Sequence, residues 1–349
     1  MPLTPSNCFE RYEVTAMNTH QHSMRRETWK PSTLGVMAVT VVALFGTGTA
    51  PREARAGQAG AASSTDRLLA GAIDFHAHGL PDMEERTVDS ADLARTARDR
   101  GMRGIVLKNH FDPTATLAYT VRRQVPDFET FGGIVLNRTV GGINARAVEH
   151  MTQVTGGWGR VVWFPTRDAE HGVAAAAAED PSLNRPFVSV SKDGELLPEV
   201  KDVIAVIAEH QLVLETGHSS PEESLLLLAE GSRQGVQHMM VTHGAFEMSL
   251  EQIQEATKLG AFIEFVYRSI PTAEGASARW SPPELVELLR AIGVEWCVLS
   301  SDLGSTRYVM PTEGFGEFLS KMLAAGMTER ELAQMTKDNP ARLLGLPVN

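Results

Sequence analysis

The stretch GAIDFHAHGLP, Gly71 to Pro81, carries the reading that decides the fold. It opens as a buried strand and ends in two histidines one residue apart. Side chains along a strand alternate between faces, so Asp74, His76 and His78 are expected on one side, with Phe75 and Ala77 on the other. Two imidazoles on one side of a strand end lie close enough to share a metal ion. The plain alternative is a pair of hydrogen-bonded histidines in a polar loop. The rest of the chain separates the two.

Outward from Gly71, short apolar or β-branched runs alternate with helical patterns. Eight runs read as strands: AIDFHAH, GIVLKNH, FGGIVLN, VVWFPT, LVLETGH, HMMVTHG, AFIEFVY and WCVLSSD. Amphipathic segments such as SADLARTARDRG and SPEESLLLLAEGSRQG separate them, several with Ser or Asp caps, an early Pro and a closing Gly. Eight strand–helix units over about 270 residues predict an α/β fold, a (β/α)8 TIM barrel, with extra C-terminal helices. An open doubly wound sheet is the structural alternative. It usually has fewer strands and often a Gly-rich first turn, which is missing after strand one. The long stretch from Thr166 to Leu197, after strand four, reads as an excursion over the barrel mouth with a short helix.

Composition narrows the class. The 349 residues are 43% hydrophobic and 21% charged, ordinary for a globular protein with a sizeable core. A net charge of −11, with no basic cluster beyond the N-terminal region, argues against a nucleic-acid partner. The first residues differ in kind: basic MRRETWK (Met24–Lys30), apolar LGVMAVTVVALFG (Leu34–Gly46), then Ala54-Arg55-Ala56 before Gly57. That order is an export signal, and its apolar run is too short to span a bilayer comfortably. The pair Arg25-Arg26 with Lys30 resembles a twin-arginine signal, although Thr28 sits where that signal usually carries Phe. The expected organisation is therefore a removed export signal over 1–56, a flexible linker over 57–70 and a barrel over 71–349. The mature protein would be periplasmic or secreted, handed over by the export machinery, with no membrane span left; self-association into a homo-oligomer stays open. Cleavage would remove Cys8 and leave Cys297 alone in the apolar EWCVLS, a buried thiol without a disulfide.

In such barrels function gathers at the C-terminal ends of the strands. Five histidines end a strand: His76 and His78 on the first, His110 on the second, His218 on the fifth and His243 on the sixth. Asp302 closes the eighth. His150, His171, His210 and His238 fall on helices, in a loop or at a strand start. Five imidazoles and a carboxylate converging on one mouth are hard to explain by packing. Nitrogen and oxygen donors without thiolate suit one or two divalent ions, zinc best, with manganese, iron or nickel as alternatives.

These residues resemble the pattern of the amidohydrolase superfamily of metal-dependent hydrolases: His-x-His on strand one, His on strands five and six, Asp on strand eight. DFHAHGLP, VLKNHFDPT, ETGHSS and SSDLG look closest to an uncharacterised branch of it. The resemblance implies that His76, His78, His218 and Asp302 contact metal. His243 would bind a second metal or polarise the substrate, and Asp302 would act as the general base. Many members carry a carboxylated lysine at the end of strand four, where this chain has only VVWFPT. Strand two offers Lys108 and His110 instead. Lys108 would be carboxylated, bind a substrate anion, or pair with Asp74 or Glu215, and His110 would be a further ligand.

The same strand-two feature also resembles the polymerase-and-histidinol-phosphatase family of phosphoesterases. That family usually ends its last strand Asp-x-His, whereas this chain has Asp302, Leu303 and Gly304. Weaker candidates complete the set. Glu215 shares a face with Gly217 rather than His218, and Glu264 is an acid buried in FIEFVY. Asp168 and His171 sit in the long loop and are candidates for touching substrate, and Arg268 is a candidate for holding a carboxylate. The expected activity is hydrolysis of an amide, ester or lactone of a small molecule. A phosphoesterase, a decarboxylase on the same scaffold and a non-enzymatic metal-binding protein of the envelope are the alternatives.

Overall fold

Parallel strands at Ile73–Ala77, Gly104–Leu107, Glu129–Val135, Gly159–Trp163, Val213–Glu215, His238–Val241, Ala261–Val266 and Cys297–Ser300 lie side by side in chain order. The computed structural model describes residues 64–243, 246–272 and 278–348. The expected export signal and residues 57–63 of the expected linker lie outside the described residues. Strand eight returns to strand one: Asp302 N donates to His76 O at 2.8 Å and His78 N to Leu303 O at 2.9 Å. The sheet thus closes into the predicted (β/α)8 barrel, strands one to eight in the order above, with helices between them.

Local signals explain the elements. The helix Pro221–Gln234 begins at Ser220, whose hydroxyl accepts from Glu223 N while the Glu223 carboxylate accepts from Ser220 N. It ends at Gly235, with φ of 83°. Inside the barrel, Ile73, Phe75, Phe131, Trp163, Met240 and Val298 interdigitate. Ala341, Leu343 and Leu344, on and just after the helix Asn339–Leu343, shut the N-terminal end of that core. Asn339 Nδ2 ties this plug to the start of strand eight, donating to Cys297 O at 2.6 Å. The opposite faces of the strands (Leu107, Val162, Leu214, Ile263) pack against the helices. Cys297 is a free, buried thiol, pushed up by burial, which suits an inert core residue.

Four features depart from the sequence expectations. The strands stop one to three residues before the ends of the expected runs, so most mouth residues stand in the turns just beyond them. His243 and Asp302 have φ of 31° and 49°, which a strand cannot contain. The two-residue alternation in strand one breaks at a bulge: Asp74 aligns with Ile105 and Ala77 with Leu107, so Phe75 and His76 together oppose Val106. His76 and His78 still face the mouth together, but Asp74 does not join them. Its carboxylate accepts from Ser301 N at 2.9 Å and pins strand one to strand eight.

Residues 64–70 of the expected linker belong to the folded unit. Ser64–Leu69 is a helix with Leu68 and Leu69 buried and Asp66 paired to Arg100 at 2.8 Å. The excursion after strand four contains the expected helix, Glu170–Glu179, followed by a hairpin pairing Ser191–Lys192 with Glu195–Leu196. No described helix is long and apolar enough to cross a membrane.

Candidate metal centre

His76, His78 and Asp302 come together where strands one and eight meet, each offering one donor atom with all three within 4.8 Å of one another. Asp302 Oδ1 lies 3.0 Å from His76 Nε2 and 3.4 Å from His78 Nε2. On its far side, His76 Nδ1 meets the buried Glu264 carboxylate at 3.1 Å, which fixes the ring and turns Nε2 to the mouth. A carboxylate behind an imidazole is how metal-ligating histidines are commonly oriented. Burial alone would lower His76 and raise Glu264 and Asp302. Their mutual attraction outweighs it, holding His76 at about 9, Glu264 at about 2 and Asp302 well below the usual carboxylate range. The pocket between these two acids therefore draws positive charge. His78, pushed down to about 3 chiefly by burial, presents a neutral ring whose buried Nδ1 has no hydrogen-bond partner among the described residues. Neutral imidazole beside ionised carboxylate is a donor set that fits a divalent ion.

The other three mouth histidines complete a ring. Centroids run from His76 to His78 at 5.2 Å, to His110 at 5.1 Å, to His218 at 6.3 Å and to His243 at 5.0 Å; His243 returns to His76 at 6.1 Å. Burial holds His110 and His218 well below their usual range and His243 at about 4, so these rings are neutral near pH 7. Thr166 Oγ1 bonds His110 Nδ1 at 2.8 Å and leaves its Nε2 for the mouth. Asn137 braces this corner, donating to His110 O and Thr166 Oγ1 at 2.9 Å each. His243 N donates to Glu264 Oε2 at 3.1 Å, so one buried glutamate steadies two of the five histidines.

Beneath the ring lies a polar layer inside the barrel. Lys108 is 1% exposed and sits 5.3 Å from the Trp163 ring centre; its Nζ bonds no group among the described residues. The expected pairing with Asp74 or Glu215 is therefore not formed. Burial pushes Lys108 down, and burial followed by the Glu264 charge pushes Glu215 up to about 8. Glu215 accepts from Thr242 Oγ1 at 2.7 Å and faces this layer, because it stands one register below the turn that carries His218.

The weaker candidates fall elsewhere. Asp168 accepts from Arg138 N at 2.9 Å and from Arg185 at 2.7 Å, which fixes the long loop. His171 pairs with Glu247 at 2.6 Å beside a cavity of about 310 Å³ lined by Glu170, Ser191 and Glu222, away from the histidine ring. Arg268 does hold a carboxylate, but it is that of Asp302, with Nη2 3.3 Å from Oδ2. Sequence reasoning passed over Arg86, Arg167 and Glu84. Glu84 joins the two arginines, at 3.0 Å to Arg86 and 2.8 Å to Arg167. Nothing in their spacing announces this, since Glu84 and Arg167 are far apart in the chain.

Backbone demands accompany the site. Gly304, two residues after Asp302, has φ of 137°, and a Cβ there would overlap the carbonyl oxygen and Cβ of His78. Gly304→Ala is expected to cost about 1–3 kcal/mol of stability and to displace His78. Thermal melting together with metal content checks it; an unshifted melt with full metal would contradict the packing described.

With the fold and the site in view, comparison with known proteins places the chain. It belongs to a family of unknown function, DUF6282, whose model matches residues 71–264, a span that takes in all five mouth histidines and ends before Asp302. No curated protein sequence matches the chain. Among solved structures, organophosphorus hydrolase from Deinococcus radiodurans is similar at 17% identity, with a TM-score of 0.51 over 81% of this chain and 94% of that one. The probable dipeptidase PvdM from Pseudomonas aeruginosa is similar at 11% identity, TM-score 0.55, over 80% and 96% of the two chains. An organophosphate-hydrolysing protein engineered from a weak promiscuous lactonase template is similar at 18% identity, TM-score 0.52, over 81% and 98%. At such identities the likeness is one of fold alone, a barrel shared with hydrolases.

Proposed function

We propose that the protein is a metal-dependent hydrolase that cleaves an amide, ester or lactone of a small molecule. The observation that carries this reading is the closed ring of five imidazoles with Asp302, at the barrel end where enzymes of this fold do their chemistry. The fold shared with hydrolases supports it. His76, His78 and Asp302 would hold one divalent ion, zinc being the best match to nitrogen and oxygen donors, with His218 as a further contact and His110 as a ligand of a second ion. A bound ion polarises a carbonyl and makes water acidic enough to ionise near pH 7. Asp302 would take the proton of the attacking water and pass it to the leaving group. His243, neutral and steadied through its backbone by Glu264, would donate to the developing oxyanion.

The phosphoesterase alternative loses ground at Gly304. The histidine expected there has no room for even its first carbon, because the backbone packs against His78. An envelope protein that merely scavenges metal would enclose its ion, whereas His218, His243 and Asp302 keep partial exposure. Metal analysis of protein purified without chelator, followed by a panel of amides, lactones, carboxylates and phosphoesters, tests the reading. About one or two ions per chain and cleavage of an amide or lactone are expected; turnover of phosphoesters alone would reverse the ranking.

Export belongs to the same reading. It is supported by the order of basic, apolar and small residues before Gly57, with Arg25-Arg26 pointing to a twin-arginine route. N-terminal sequencing of protein recovered from the native envelope should begin near Gly57. Finding residues 34–46 still attached would dismiss the cleavage.

A further inference from the structure

Positive charge surrounds a centre that is itself meant for cations. Arg268 lies 3.3 Å from Asp302, on the strand-eight side of the mouth. On the opposite side, Arg167 follows Thr166, the residue bonded to His110, and reaches across to Glu84. Arg86 holds the other side of Glu84 and also Asp82, at 2.7 Å. Guanidinium groups beside a divalent ion repel it, and the chain as a whole is acidic, at −11. Protein carboxylates balance these arginines in the structure, and an anionic ligand could take the place of one of them.

The three arginines are not equivalent. The Arg86 side chain is 4% exposed and locked between two acids, and Arg268 is committed to Asp302. Arg167 differs. Its side chain is 28% exposed and that of Glu84 is 31% exposed, so water and solutes reach the pair. A pair that water reaches is screened and opens more readily than a buried one, which lets guanidinium donors turn from Glu84 to an incoming oxyanion. Arg167 also directly follows Thr166, whose hydroxyl bonds His110 Nδ1, so it leaves the chain beside that imidazole corner.

We propose that the centre takes an oxyanion-bearing small molecule, with Arg167 exchanging Glu84 for a carboxylate or phosphate group of the ligand. The word substrate applies to that ligand only through the hydrolase reading above; the binding step does not depend on it. Glu84 is then a stand-in that keeps the guanidinium in place between ligands, and Arg86 holds Glu84 ready to take it back.

Calorimetric titration of the metal-loaded full chain with succinate, inorganic phosphate and neutral succinamide tests this. Succinate or phosphate should bind, succinamide should not, and the tighter of the two anions names the group. Arg167→Gln should weaken anion binding about 10- to 100-fold, the usual worth of a charge-assisted hydrogen bond. Glu84→Gln breaks the same ion pair but spares the guanidinium, so affinity should hold or rise. Equal binding of succinamide, unchanged affinity in Arg167→Gln, or equal losses in both variants would overturn the proposal. The two readings fail separately. Cleavage of a neutral lactone with Arg167-independent anion binding removes this inference alone. Arg167-dependent binding without any turnover removes the hydrolase reading alone.

Discussion

Replacing His76 and His78 together with Ala should abolish metal binding while the barrel still folds. Both rings face one point at the strand-one end, and losing them removes two of the three donor atoms that meet there. The double variant also leaves a buried hole and removes the ring that compensates Glu264, so a loss of about 2–5 kcal/mol is expected. Circular dichroism and melting should accompany the metal assay for that reason. His78→Ala alone is the milder version, since the Nδ1 of that ring has no partner to lose. It should lower metal content sharply with a smaller change in melting. Full metal in the folded double variant would make the opening motif structural.

Asp302→Asn should leave the fold intact and reduce turnover by about 10² to 10⁴, the usual loss for a general base. The amide keeps the size of the carboxylate and one oxygen, and Arg268 can still donate to that oxygen. Two measurements separate the roles. For a base, metal stays near the wild-type level, kcat drops and added metal changes nothing. For a ligand alone, metal and activity fall together and excess metal restores both. Near-normal turnover in the metal-loaded variant would remove Asp302 from the reaction.

The barrel was legible because its period is local: strands announce themselves by apolar and β-branched runs, and several helices by a cap or a closing glycine. The mouth histidines were legible for the same reason, since each stands at the end of such a run. Asp74 was misplaced because a bulge is one extra residue, invisible to a rule that counts by twos. Glu264 and Glu215 could be flagged as buried acids, but their service to His76 and Thr242 depends on strands that meet only in the closed barrel. The Arg167–Glu84–Arg86 arrangement was beyond reach, because loops following strands one and four become neighbours only above the mouth. Asp168 and His171 were polar residues in the right loop that found partners elsewhere.

Closing the barrel through Asp74 and Ser301 has a consequence for biogenesis. The carboxylate that stitches strand one to strand eight is made more than two hundred residues before its partner. At ribosomal speeds of about 5–20 residues per second, strand one waits on the order of ten to fifty seconds with an unpaired edge. The interior plug around Leu343 arrives later still. A nascent chain of this protein therefore spends most of its synthesis as an open, sticky half-barrel, and its dependence on chaperones should be concentrated in that interval.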